Sequence, residues 1–262
     1  MRAAGNERVL ITGAASGLGA ALAEAWEARG AEVLRTDRVA ADGVRRLDIT
    51  SDEDWAAALA DVEERWGGLD VLVNNAGVAG GGRLDVADLD EWQWIFDINL
   101  FGAVRGIRAF TPLLKRQRSG RIVNVASLAG LVHPAGMASY NAVKAAVVAL
   151  TETAGHELAS YGVTAHAVCP SYFRTALMDS VRGRDTTLAG VMARLVEDAP
   201  LGAEEIAAAV LDGLDRGDEL ILPDPAARAA YGLKVGDRAA YDATMREQAR
   251  KLDELSSAGS GE

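Results

Sequence analysis

The sequence predicts an α/β fold, a doubly wound parallel sheet of about seven strands with helices on both faces. Three observations point there. Short β-branched runs alternate with helix-length stretches over most of the 262 residues. The first run, Arg8–Thr12 (RVLIT), passes through a glycine-rich turn at 13–19 into an Ala-rich helical stretch. Residues able to carry chemistry stand at the ends of apolar runs, at Gly13, Asp37, Asn75, Ser127 and Pro170. Ligands of parallel sheets bind beyond the carboxyl ends of the strands, so these positions point to one shared site.

The elements follow in order. After the first strand and its glycine turn, a helix runs through Arg29 and stops at Gly30, which suits the position after a helix C-terminus. Residues 31–36 read as a second strand ending in Asp37, and 44–48 as a short third strand. Ser51 caps a helix that runs to Trp66, with Glu53 and Asp54 suiting its positive end. Residues 69–74 form a fourth strand, followed by Asn75, Ala76 and Gly77. Asp88 starts a helix through Trp92 and Trp94, and a second helix spans 99–115. Residues 120–126 are a fifth strand. A helix containing Tyr140 runs to Tyr161 and ends at Gly162. Val163–Val168 is a sixth strand closed by Pro170.

Beyond it the pattern loosens. Residues 172–200 hold two short helices broken around Gly183, a candidate lid over a substrate. A helix at 204–216 and a seventh strand at 219–222 follow. A helical extension occupies 226–255, with an apolar stripe at Tyr241, Met245, Ala249 and Leu252. Residues 256–262 (SSAGSGE) read as disordered. No repeat or linker divides the chain, so one domain over 1–262 is expected.

Glycines in the first turn let the backbone bend sharply and approach a pyrophosphate closely. The helix that follows presents free N–H groups and a partial positive charge. Asp37 lies eighteen residues past Gly19, close to the spacing at which an acid grips ribose hydroxyls. Strand, glycine turn, helix, strand and acid together point to a dinucleotide. Tyr140 and Lys144 stand four residues apart on a helix and therefore on one face. An ammonium beside a phenol favours the phenolate and is expected to lower the phenol's pKa toward neutrality. Such a pair alone is also common on a solvated helix face. Ser127, thirteen residues earlier, can offer a hydroxyl nearby.

Composition limits the alternatives. The formal net charge is −11 and no basic patch is present, which speaks against nucleic acid. The single cysteine, Cys169, allows no intrachain disulfide and suggests a reducing compartment. No apolar run approaches a membrane span and no signal-peptide pattern follows Met1, so a cytoplasmic protein is expected. Three histidines without metal-ligand spacing make a metal site unexpected.

Together these motifs resemble the short-chain dehydrogenase/reductase family over about residues 8–222. The TGxxxGxG pattern appears from Thr12 to Gly19 as Thr12, Gly13, Ala14, Ala15, Ser16, Gly17, Leu18 and Gly19. The NNAG pattern appears as Asn74, Asn75, Ala76 and Gly77, and the Asn-Ser-Tyr-Lys tetrad as Asn99, Ser127, Tyr140 and Lys144. The resemblance implies a Rossmann-type fold. It implies Tyr140 as general acid or base, Lys144 on the nicotinamide ribose, Ser127 on the substrate oxygen, and Asn99 kinking its helix and holding a relay water. It also implies contacts to the cofactor from Asp48 and Ile49 at adenine and from Pro170 and Thr175 near the nicotinamide. Asp37, with neutral Ser16, favours NAD over NADP, although Arg38 could meet a phosphate. The family's usual Pro-Gly after the sixth strand is here Pro170-Ser171, which puts the pocket floor in question. Leu128, His133, Tyr172 and Phe173 are candidate substrate walls. The family commonly assembles through the Tyr140 helix and the helix after Asn99, so a homotetramer or homodimer is expected.

The implied activity is an NAD-dependent interconversion of a small-molecule secondary alcohol and its ketone. The competing possibilities are an NADPH-dependent acyl-thioester ketoreductase and a nucleotide-sensing protein without turnover. Asp37 argues against the first, and the complete tetrad against the second.

Overall fold

The computed structural model describes residues 6–259. Among them the strands β1 (Arg8–Thr12), β2 (Glu32–Asp37), β3 (Arg45–Arg46), β4 (Val71–Asn74), β5 (Gly120–Val125), β6 (Val163–Val168) and β7 (Leu220–Ile221) form one seven-stranded sheet. Its order is β3-β2-β1-β4-β5-β6-β7, parallel throughout. The chain leaves β1 toward one edge and returns to β4 on β1's other side. A crevice therefore opens between the carboxyl ends of β1 and β4.

Strand residues alternate between two buried faces, as a sheet covered on both sides requires. Val9, Ile11, Val71, Val73 and Val168 pack with α1 (Gly17–Ala28) and α8 (Ala203–Arg216). Leu10, Leu72 and Ile122 face α2 (Asp52–Trp66), α4 (Gly102–Gln117) and the end of α6 (Ala138–Leu158). Ser51 caps α2 by accepting from the Asp54 amide at 3.1 Å.

Three element predictions need correction. The third strand shrinks to two residues, because Asp48 turns its carboxylate onto the Thr50 amide and hydroxyl and the chain bends toward α2. The helices expected from Asp88 and from Asn99 are one continuous run: α3 (Leu89–Phe96), a π-helical turn (Asp97–Phe101) and α4. The sequence break at Asn99 is thus a one-residue expansion of the helix rather than a loop. At the C-terminus α9 (Pro225–Gly236) and α10 (Arg238–Gly259) divide at Asp237, and α10 continues past Leu255. Residues 256–259, expected to be disordered, are helical, and the Ser256 hydroxyl donates to the Leu252 carbonyl at 2.9 Å. Residues 260–262 lie outside the described residues.

Two further elements border the crevice. The short α5 (Ala129–Val132) follows β5, and α7 (Thr186–Glu197) follows a 3-10 turn at Ala176–Ser180. The α10 stripe packs on its own chain at its two ends: Tyr241 and Leu252 are buried, and Leu252 joins Leu188 of α7 in one apolar cluster. No helix among the described residues is long and apolar enough to cross a membrane.

Candidate active site

A cavity of about 780 Å³ lies at the carboxyl edge of the sheet. Its lining includes Gly13, Ser16, Gly17, Leu18, Asp37, Arg38, Asp48 and Ile49 at one end, and Ser127, Leu128, Tyr140, Lys144, Tyr172 and Phe173 at the other. That size suits a drug-sized ligand.

The glycine turn is built without space for side chains. Gly13 and Gly17 hold φ of +67° and +55°, the left-handed region that glycine adopts freely. A Cβ on Gly19 would lie 2.1 Å from the Gly13 carbonyl oxygen. The Asn75 side-chain amide donates to the Thr12 and Gly13 carbonyls at 2.9 and 3.2 Å, and the Thr12 hydroxyl accepts from the Asn75 and Ala76 amides. Asn75 lines the cavity, but its amide nitrogen is engaged in bracing the turn. Ser16 stands at the N-cap of α1 without a side-chain cap, and the first turn of α1 holds no acid. Its free N–H groups are therefore available to an anion. This cradle fits the pyrophosphate of a dinucleotide.

At the end of β2, one Asp37 oxygen accepts from the Ala15 amide at 3.1 Å and the other from the Arg38 amide at 2.7 Å. Each oxygen keeps acceptor capacity for a further donor, which a ribose hydroxyl can supply. Asp48 accepts from the Thr50 amide and hydroxyl, and these bonds hold its carboxyl below the usual carboxylate range. Ile49 is buried against Gly102 at the start of α4.

The π turn places Asn99 under the loop after β4. Its carbonyl oxygen accepts from the Val78 amide at 3.0 Å, and its amide nitrogen donates to the Val78 carbonyl at 3.1 Å. A Cβ on Gly77 would sit 2.5 Å from that Asn99 oxygen and 3.8 Å from the Lys144 ammonium nitrogen. Gly77 therefore lets Asn99 and Lys144 approach the same point. Lys144 donates to the Val125 carbonyl at 3.0 Å and lies 5.7 Å from the centre of the Tyr140 ring.

Electrostatics corrects one expectation from sequence. Burial pushes the Tyr140 phenol up to about 12, and the hydrogen bond from Ser127 offsets only part of that rise. Burial also lowers Lys144 to about 8. The helical pairing alone does not bring the phenol toward neutrality, because desolvation outweighs it.

A stability prediction follows. Between about 8 and 10.5 the unfolded chain binds the Lys144 proton more tightly than the folded one, so stability rises with pH in this window. Above 10 the unfolded chain releases its Tyr140 proton first, so stability falls toward 12. At neutral pH the buried ammonium opposes folding by up to about 3 kcal/mol, and its bond to Val125 returns about 1. K144M is therefore expected to stabilise the ligand-free protein by about 1–2 kcal/mol in urea unfolding at pH 7, and to flatten the rise with pH above it.

The end of the cavity around Tyr140 is mostly apolar. Leu128 and Phe173 line it, and the Tyr172 hydroxyl donates to the Met137 sulfur at 3.4 Å. His133 does not belong to this wall. It ends α5 at φ 51°, its Nε2 donates to the Gly130 carbonyl, and its Nδ1 accepts from Lys234 of α9. These partners turn the ring away from the cavity, and burial together with the Lys234 charge lowers its pKa.

Ser171 also has a partner. Its amide and hydroxyl donate to the two carboxylate oxygens of buried Asp224 at 2.9 and 2.6 Å. Asp224 in turn caps α9. The serine is thus used to tie the loop after β6 to the C-terminal extension. Pro170 accepts from the Leu128 amide, and the Thr175 hydroxyl closes against Gly17. Sequence reasoning left out Trp94, Met137, Met178, Arg182 and Met192, which also line the cavity. Trp94 and Ile98 share a helix face one turn apart, a signal available in the sequence.

Among the described residues no cluster of His, Cys, Asp and Glu is placed to hold a metal. The remaining histidines, His156 and His166, lie outside the cavity lining, and Cys169 is buried.

Comparison with known proteins gives one consistent family. Residues 7–185 match the short chain dehydrogenase family model. The chain is 33% identical over 213 residues to the 3-oxoacyl-[acyl-carrier-protein] reductase FabG of Salmonella typhimurium, covering 77% of this chain and 86% of that protein. A short-chain dehydrogenase/reductase of Burkholderia phymatum in complex with NAD superposes with a TM-score of 0.82 at 30% identity, covering 90% of this chain and 95% of the other. A short chain dehydrogenase of Burkholderia cenocepacia in complex with NADP gives 0.79 at 32%, covering 94% and 99%.

Proposed function

This chain belongs to the short-chain dehydrogenase family, and from that membership we propose that it is an NAD-dependent oxidoreductase interconverting a secondary alcohol and its ketone. One observation carries the reading. The hydroxyls of Ser127 and Tyr140 and the ammonium of Lys144 line a single cavity that continues into the glycine cradle and Asp37. When bound there, NAD supplies or accepts the hydride.

The chain's own groups do the rest. The α1 N-terminus and its glycines would hold the pyrophosphate, and Asp37 would accept from the adenosine ribose hydroxyls. The Ser127 hydroxyl is hydrogen-bonded to the Tyr140 phenol. A substrate carbonyl oxygen placed between these two hydroxyls receives hydrogen bonds from both. Tyr140 then passes its proton to that oxygen in reduction and takes it back in oxidation. Lys144, near 8, exchanges protons at neutral to mildly basic pH and replenishes Tyr140. Asn99 holds the loop that keeps Gly77 against Lys144.

Residues 172–200 act as the lid: its members Tyr172, Met178 and Met192 wall the substrate end. The outward faces of the π turn leading into α4 and of α6, with exposed Phe101, Ala142 and Ala149, build a homotetramer or homodimer interface.

Likeness to 3-oxoacyl-[acyl-carrier-protein] reductase supports a second reading, reduction of an acyl thioester with NADPH. Rates with NADH and NADPH, each measured on free ketones and on acetoacetyl-CoA, separate the two. Faster turnover of free ketones with NADH supports the first. Faster turnover of the thioester with NADPH replaces it with the second.

A further inference from the structure

We propose that Arg182 makes this enzyme selective for substrates that carry a carboxylate, so that the ketone partner is an oxo acid. The inference rests on the alcohol–ketone reading above and adds the class of substrate. Arg182 lies on the lid and lines the cavity. Its guanidinium stands 5.0 Å from the ring centre of Trp94, on α3, which also lines the cavity. Trp94, like Met178, packs against the cluster that contains Tyr140 and Met137, so this is the substrate end rather than the adenine end.

The surroundings suit an anion there. The neighbouring arginine, Arg184, pairs with Asp88, and Arg83 pairs with Asp185. Arg182 makes no ion pair within 4.0 Å among the described residues. A guanidinium that lies over an aromatic face keeps its N–H edge free, and that edge matches a carboxylate with two parallel bonds. Leu128, Val132, Met137, Met178 and Met192 give this end an apolar wall. Asp179 is the other charged lid residue on the lining, and like Arg182 it is exposed. In a chain of formal charge −11 the mouth would otherwise repel an acid. A substrate held by Ser127 and Tyr140 at its carbonyl and by Arg182 at its carboxylate is fixed at two points, with its carbon skeleton on the apolar wall between them.

The test uses straight-chain oxo acids of increasing length, beginning with acetoacetate and levulinate, each against its methyl ester, with NADH and the full-length protein. The wild type is expected to favour an acid over its ester by about 10- to 100-fold in kcat/KM, chiefly through KM. R182M should collapse that ratio toward one, and R182K, which keeps the charge without the fork, should retain part of it. The ratio is internal to each variant, so partial loss of folded protein does not alter it. Turnover of acids and esters without preference in the wild type, or a preference that survives R182M, would overturn this inference alone. No turnover of either series would overturn the alcohol–ketone reading and this inference with it.

Discussion

Tyr140→Phe is expected to lower kcat for ketone reduction by about 10²- to 10⁴-fold, the range a positioned general acid supplies. The variant removes one hydroxyl and leaves the ring in its buried cluster. NADH affinity, read by fluorescence, should change little, because the glycine cradle and Asp37 are remote from the lost atom. The size of the loss follows from the site's isolation. Tyr140 is buried with 7% of its surface exposed, so water cannot readily replace the missing donor. Burial pushes the phenol up, which favours the protonated form that can donate. The limiting step for the reverse reaction is then loss of that proton. Alcohol oxidation should accordingly speed up with rising pH, while ketone reduction does not.

Asp37→Ala is expected to shift the ratio of kcat/KM for NADH over NADPH by about 10²-fold toward NADPH, since like charges in direct contact cost several kcal/mol. The carboxylate is fixed by the Ala15 and Arg38 amides, so it cannot swing aside for a 2′-phosphate. Arg38 is exposed and beside it. Once the aspartate is gone, Arg38 is free to meet the phosphate, and this adds to the shift. Steady-state kinetics with both cofactors on one ketone checks it. An unchanged ratio would show that Asp37 does not read the ribose.

Much of this was legible in the sequence because the informative features are local. The glycine turn, its strand and its helix follow from consecutive residues, and so does the capping of α2 by Ser51. The alternation of apolar runs set the parallel sheet, whose two buried faces need no long-range information to be recognised. Family spacing singled out Asn99, Ser127, Tyr140 and Lys144, which line one cavity. What failed depends on contacts between distant residues. His133 is drawn off the cavity by Lys234, which lies 101 residues along the chain. Ser171 finds its purpose only in Asp224, on the far side of α7 and α8. Arg182 meets Trp94 only when residues 172–200 fold back over α3. The ends of β3 and α10 were misjudged for a simpler reason. A two-residue strand has almost no periodic signal, and Ser-rich helix ends read as coil although Ser256 and Ser257 bond back to carbonyls one turn earlier. The pKa of Tyr140 was misjudged because spacing shows the neighbouring charge and says nothing of burial, which decides the sign here.

The most direct test is ketone reduction with NADH deuterated at the transferable position, followed by mass spectrometry of the alcohol. Direct hydride transfer predicts one deuterium on the carbinol carbon of each alcohol molecule, formed in equal number to the NADH consumed. Binding of NADH without consumption across the ketone panel, or alcohol formed without the label, would contradict the account.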